Sequence, residues 1–218
     1  MTFSFTDQHS ERQQCMRCGT CCKKGGPALH EQDIALVSQK IIDPENLYTI
    51  RVGELVRDNV NGGLIYTDAE IIKIRASEAS HACIFLRNNE NACGIYEDRP
   101  GQCHALECWN SETIRATHTQ NRLDRKALFG ELDWLWNILE EHESRCNYVQ
   151  IRWLIERRRE GDSSASREIE EMISYDQAIR DIVIEKANME SGMLNLLFGM
   201  PLKLVLQRRF GLKIQVHV

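Results

Sequence analysis

The pattern of apolar and polar positions changes character about halfway along the chain. In the first half, short apolar runs are separated by turn signals at Gly25-Gly26-Pro27, Asp43-Pro44, Asn61-Gly62-Gly63, Asn88-Asn89 and Arg99-Pro100-Gly101. Residues 47–51 read as a strand, and residues 64–67 and 70–74 as further strands around the Asn-Gly-Gly turn. Residues 83–86 and 92–96 predict a hairpin that carries two thiols. Ile34, Val37 and Ile41 recur at helical spacing and predict a helix over residues 31–40.

The second half reads as helices. Leu128, Leu132, Leu135, Trp136 and Leu139 make one apolar face, and Cys146, Val149 and Trp153 make the next. Gly161 ends that stretch, and Asp162-Ser163-Ser164 offers a loop and an N-cap. Ile169, Met172, Ile173, Ile179, Ile182 and Val183 mark another helix, and Pro201 opens a last one that runs through Phe210 to Gly211. The expected class is α+β. An irregular, cysteine-rich first half with short β-hairpins, residues 1–112, is followed by a mainly α-helical half, residues 113–218, packed on it or continuous with it.

Charge and hydropathy narrow the field. With 42% apolar and 27% charged residues, the chain of 218 residues is able to bury a core. No apolar run reaches the roughly 18 residues of a membrane span, and the first residues lack the basic and apolar regions of a secretory signal. Residues 1–112 carry 11 basic and 16 acidic side chains, whereas residues 113–218 carry 16 of each, so neither half is basic enough for a dedicated nucleic-acid binder. Arg157-Arg158-Arg159 and Arg208-Arg209 read as solvated helix surface.

Nine cysteines change the picture. An odd count without an export signal argues against a disulfide framework, and in a reducing cytoplasm, the expected location, clustered thiols hold metal rather than one another. Cys15, Cys18, Cys21 and Cys22 form a C-x2-C-x2-C-C run. Its short spacers let a tight loop turn sulfurs toward one point, with Gly19 supplying left-handed backbone. Three cysteines so spaced match part of a ferredoxin-type 4Fe–4S site, in which a distant cysteine is the fourth ligand. Adjacent Cys21 and Cys22 are expected to point apart along an extended backbone, so that one of them serves a second site. Cys83, Cys93, Cys103 and Cys108 are spaced too widely for one loop, but a hairpin followed by a turn brings them together. Eight thiols suffice for two four-cysteine sites, or for one centre with thiols to spare.

The run Cys15-x2-Cys18-x2-Cys21-Cys22, then Cys83-Ile84-Phe85-Leu86, then Cys93-Gly94-Ile95-Tyr96-Glu97-Asp98-Arg99-Pro100-x2-Cys103-His104-x3-Cys108, resembles the CxxCxxCC family. Members of that family are described as zinc- or iron-chelating and as iron–sulfur cluster proteins. The resemblance implies that Cys15, Cys18, Cys21, Cys22, Cys83, Cys93, Cys103 and Cys108 are the metal ligands. The sequence departs from the family after Cys103, where His104, Leu106 and Glu107 replace the usual Arg and Phe-Pro. Some larger relatives methylate flagellin lysines with S-adenosylmethionine, but residues 113–218 contain no matching methyltransferase segment.

Other chemistry is sparse. His81 and His104 are candidates to replace one thiolate each or to donate hydrogen bonds around the centre. His142-Glu143-x2-Cys146 resembles H-E-x-x-H without its last histidine, and Cys146 fits a buried stripe instead. No phosphate-binding glycine loop or nucleophile elbow is present, so no catalytic residue and no second cofactor site is assigned. Three readings follow. One is a cytoplasmic 4Fe–4S protein that passes electrons or supports a partner enzyme. Another is a zinc-stabilised module that binds an unidentified protein. The third is an enzyme with its site where the two halves meet.

Overall fold

In the computed structural model, which describes residues 14–87 and 89–212, the chain folds as α+β, with short antiparallel hairpins first and helices after them. The elements run α1 (Ile34–Ser38), β1 (Leu47–Ile50), β2 (Leu55–Arg57), β3 (Leu64–Tyr66), β4 (Ile71–Ile74), β5 (Leu86–Arg87), β6 (Ala92–Cys93), α2 (Gly101–Ala105) and α3 (Glu112–Thr117). They continue with α4 (Arg125–Phe129), α5 (Asp133–Arg145), α6 (Tyr148–Arg159), α7 (Ser163–Ala187), α8 (Leu194–Phe198) and α9 (Leu202–Phe210). No described helix is long and apolar enough to cross a membrane.

The strands pair differently from the sequence pattern. Asn61-Gly62-Gly63 does form a turn, closed by the Asp58 carboxylate accepting from the Val60 and Asn61 amides, but it joins β3 to β2, which the pattern did not reveal. β4 returns instead to β1, with Leu47 opposite Ile74 and Thr49 opposite Ile72. The reason is burial. Leu47, Ile72 and Ile74 are almost completely shielded and share a core with Leu29, Val37, Ile42, Cys83, Leu123 and Leu196, whereas every residue of β3 is exposed. Long-range pairing that buries an apolar face outweighs the local turn. The predicted thiol hairpin forms as β5–β6, shorter than expected, with Cys93 opposite Leu86 and Cys83 in a separate bridge to Ala76. The helix over residues 31–40 is a single 3-10 turn leading into α1, and Ile34 faces solvent.

The helical half follows its signals more closely. Asn147 caps α6 by accepting from the Val149 and Gln150 amides, Asp162 caps α7 through the Ser164 amide, and α9 starts after Pro201 and stops at left-handed Gly211. The expected stripe of Cys146, Val149 and Trp153 does not exist. Cys146 is buried, but Val149 and Trp153 are 58% and 57% exposed. Cys146 caps the end of α5, and extended Asn147 resets the helical phase, so spacing counted across it carries no meaning. Tyr148, Ile151, Leu154 and Ile155 face the core instead, packing on Ala165, Ile169, Met172 and Ile173 of α7. Leu132 likewise leaves the predicted α5 face, 45% exposed ahead of the helix, while Leu135 and Leu139 stay buried.

The halves meet at β1 and α8. Thr49 Oγ1 donates to the Leu196 carbonyl at 2.6 Å, and a Cβ on Gly199, whose φ is +72°, would lie 2.9 Å from the Thr49 carbonyl oxygen. Only glycine allows that approach together with that backbone.

Candidate metal centre

The first cysteine run folds as a loop closed by a turn. Cys21 has helical backbone and opens a 3-10 turn at Cys22–Lys24, with the Lys23 amide donating to the Gly19 carbonyl at 3.0 Å. The expected extended backbone is therefore absent, and the Cys21 and Cys22 sulfurs lie 3.9 Å apart instead of pointing away from each other. Gly19, at φ +70°, is buried against the β5–β6 turn, where a Cβ would come 2.8 Å from the Asn91 carbonyl oxygen. The Cys83 amide donates to the Cys22 carbonyl at 2.8 Å, which ties the loop to the second cysteine segment.

Cys103 arrives by another route. It sits on α2, whose first turn is fastened to residues 28–33 because the Gly101 amide donates to Asp33 Oδ1 at 2.8 Å. Gln102 Oε1 accepts from the Ala28 amide at 2.5 Å. Three distant stretches of chain thus supply Cys21, Cys22, Cys83, Cys93 and Cys103 to one neighbourhood, where Cys22, Cys83 and Cys103 each feel the charge of Cys21 and Cys93. Cys83 and Cys22 also rest on the β1–β4 core. Cys18 is exposed but close enough to feel Cys21. Cys15 is exposed, its sulfur accepting from the Arg17 amide at 3.4 Å, and Cys108 is exposed beyond α2.

The thiols differ in acidity for physical reasons. The hydrogen bond between the two neighbouring sulfurs lowers Cys21 to about 6 and raises Cys22. The Thr20 hydroxyl, 3.2 Å from Cys18 Sγ, lowers that thiol. Burial raises Cys83 and pushes Cys103 up to about 12, with the other sulfurs adding to it and Arg99 opposing it. Buried neutral thiols beside one another stand to lose protons together to a cation, since the thiolate is the metal ligand. His81 and His104 are exposed, and neither ring makes a hydrogen bond among the described residues.

A second group was missed because its third member is remote in sequence. His142, Cys146 and Asp176 are buried, with ligand atoms all within 4.8 Å, the only such group of three among the described residues. Its chemistry is that of an ion-pair hub. Asp176 Oδ1 accepts from His142 Nε2 at 2.8 Å and from Arg180 Nε and Nη2 at 3.1 and 3.0 Å, and Oδ2 accepts from the Leu202 amide at 2.9 Å. Burial would raise this carboxyl, but those donors hold it at about 2. The Cys146 thiol donates to the Met172 carbonyl, and burial pushes it up to about 12. A cation here would compete with Arg180 for an acceptor already in use.

Against this geometry, the model of the CxxCxxCC family, described as a zinc- or iron-chelating domain, matches residues 14–123, just over half of the chain. The chain belongs to the CxxCxxCC family. Comparison with curated proteins and with solved structures gives no match. The CxxCxxCC match takes in all eight clustered cysteines and leaves out Cys146 together with α4 to α9.

Proposed function

We propose that this CxxCxxCC protein holds a metal centre through cysteine thiolates, and that the centre is a 4Fe–4S cluster used to pass electrons or to support a partner enzyme in the cytoplasm. The observation that carries the reading is the joining of the two cysteine segments, with the Cys21 and Cys22 sulfurs 3.9 Å apart, the Cys83 amide on the Cys22 carbonyl and Cys93 on the adjoining β5–β6 hairpin. The donor set suits the group. Thiolates favour iron–sulfur clusters and zinc over hard cations, and Cys15, Cys18 and Cys108 make eight candidate ligands in all.

Ligand spacing along the chain supports the cluster, because Cys15, Cys18 and Cys21 match the three-ligand run of a ferredoxin-type site that takes its fourth thiolate from a distant cysteine. When bound, it would supply one-electron chemistry, with its potential set by surrounding amides and burial. The chain's own residues bring the sulfurs together, and the Cys83 amide and the Gly19 loop hold the two segments in register. A fully ligated centre suits electron transfer or structure, whereas catalysis needs an open position.

Zinc in a protein-binding module is the second reading, favoured by the 3.9 Å between Cys21 and Cys22, which fits one tetrahedral edge. A buried ion-pair network of Arg51, Arg125, Glu70 and Glu143 lies where the two halves meet, and hollows of about 310 and 330 Å³ flank α2.

Metal and sulfide analysis of protein purified without oxygen tests both readings. Brown protein containing iron and acid-labile sulfide is expected. Colourless protein with stoichiometric zinc would replace the first reading with the second, and protein that takes up neither metal would end both.

A further inference from the structure

One side chain touches both cysteine segments without offering a ligand. Tyr96 stands three residues after Cys93 and seven before Cys103. The guanidinium carbon of Arg17, from the first cysteine loop, lies 3.8 Å from the centre of its ring, and that of Arg99 lies 4.2 Å away. Each arginine is anchored a second time. Arg99 Nη1 donates to the Tyr96 carbonyl at 2.9 Å, and Arg17 Nη2 reaches Glu97 Oε1 at 3.3 Å. Arg17 has left-handed backbone, φ +53°, which is uncommon away from glycine and is kept only where contacts hold it. Its amide donates to Cys15 Sγ, and Cys18 follows it directly.

We propose that Tyr96 is a positioning residue for the metal centre, its ring gripping Arg17 and Arg99 so that the exposed Cys15–Cys18 arm is laid onto the Cys93–Cys103 segment. Gly19 and the Cys22 carbonyl fix only the far end of the loop, through Asn91 and Cys83. The near end, with Cys15 and Cys18, has the Arg17 contacts with Tyr96 and Glu97. A guanidinium over an aromatic face is attracted by the ring quadrupole, and a phenyl ring keeps most of that attraction while an aliphatic side chain loses it. The inference rests on the thiolate-metal reading above, although the grip itself needs no metal.

The test uses the full chain as Tyr96→Leu, Tyr96→Phe and Arg99→Met, each compared with wild type. In metal-free protein, trypsin cleavage after Arg17 reads the grip. Tyr96→Leu should be cleaved there roughly two- to fivefold faster than wild type, the size that one exposed cation–π contact supplies, with Tyr96→Phe close to wild type and Arg99→Met between them. Equal cleavage in all four proteins overturns the grip. With the centre loaded in the absence of oxygen, from iron and sulfide in one sample and from zinc in another, alkylation followed by mass spectrometry reads the ligands. Tyr96→Leu should expose Cys15 and Cys18 while Cys83 and Cys93 stay protected, and Tyr96→Phe should protect all four. Loss of protection at all four thiols in Tyr96→Leu, or at none, overturns the positioning role. Wild-type thiols that alkylate equally fast with and without metal would sink the metal reading instead, leaving the cleavage result to stand by itself.

Discussion

The guanidinium of Arg51 meets both carboxylate oxygens of Glu143, Nε to Oε1 at 2.8 Å and Nη2 to Oε2 at 3.1 Å. Arg51 follows β1 directly and Glu143 lies on α5, so this bidentate pair bolts the hairpin half to the helical half. Glu143 Oε1 also takes Arg125 Nη2 at 2.8 Å, and Arg125 pairs in turn with Glu70 Oε2 at 2.7 Å. Both arginines are buried, and together they hold the Glu143 carboxyl below its usual range although burial alone would raise it.

Replacing Glu143 therefore leaves two buried cations short of an acceptor. Glu143→Gln is expected to cost about 3–5 kcal/mol of stability, the range for breaking a buried ion pair on one side, measured as a shift in denaturant midpoint. Because the native carboxyl is more acidic than in the unfolded chain, its contribution is complete above the unfolded value of about 4.5 and is lost as pH falls through the lower native value.

Glu54 has the opposite sign. Burial, the largest influence, pushes its carboxyl up to about 7, against the pull of the Arg51 amide and guanidinium. The fold prefers it neutral, so its contribution is complete below the unfolded value of 4.5 and declines as pH rises through about 7. The raised value corresponds to about 3 kcal/mol between those limits. Glu54→Gln should remove this decline, and thermal melts at a series of pH values from 4.5 to above 7 would show it. Parallel melting curves for the two proteins would contradict the assignment.

Single cysteine replacements separate ligands from core. Cys15→Ser, Cys18→Ser, Cys21→Ser and Cys103→Ser are each expected to lower the metal bound per folded molecule, while Cys146→Ser is expected to leave it unchanged. Cys146 already donates to the Met172 carbonyl and lies beside Arg51 and Arg180. Equal metal content across all five variants would defeat the ligand assignment.

Removing metal should loosen the molecule locally. Hydrogen exchange is expected to rise in residues 15–24 and 83–108, where few apolar side chains are buried, and to stay slow in β1 and β4, which have Leu29, Leu47, Ile72 and Ile74 to bury. Uniform loss of protection across the chain would show that the centre holds up the whole fold.

The helical half was legible because its signals are local. Asp162, Pro201 and Gly211 act on backbone within a turn of themselves: α7 begins after Asp162, and α9 begins after Pro201 and ends at Gly211. The reading failed where a local count was carried across a break, as at Cys146 and Asn147. The β1–β4 pairing escaped it because turn chemistry favours the nearest strand while burial decides the partner. At the candidate centre, the eight cysteines and their spacing were plain, but the angle between Cys21 and Cys22 depended on a 3-10 turn that no residue type announces.

What the sequence determined alone was the inventory: which thiols exist, how they are spaced, and where capping residues start α7 and α9. Tertiary structure decided the meetings, of Cys103 with Cys21, Arg17 with Tyr96, and His142 with Asp176. Spacing along a chain constrains only residues joined by a regular element. Beyond that, the partner of a thiol or a buried charge is set by which surfaces can be taken from water together.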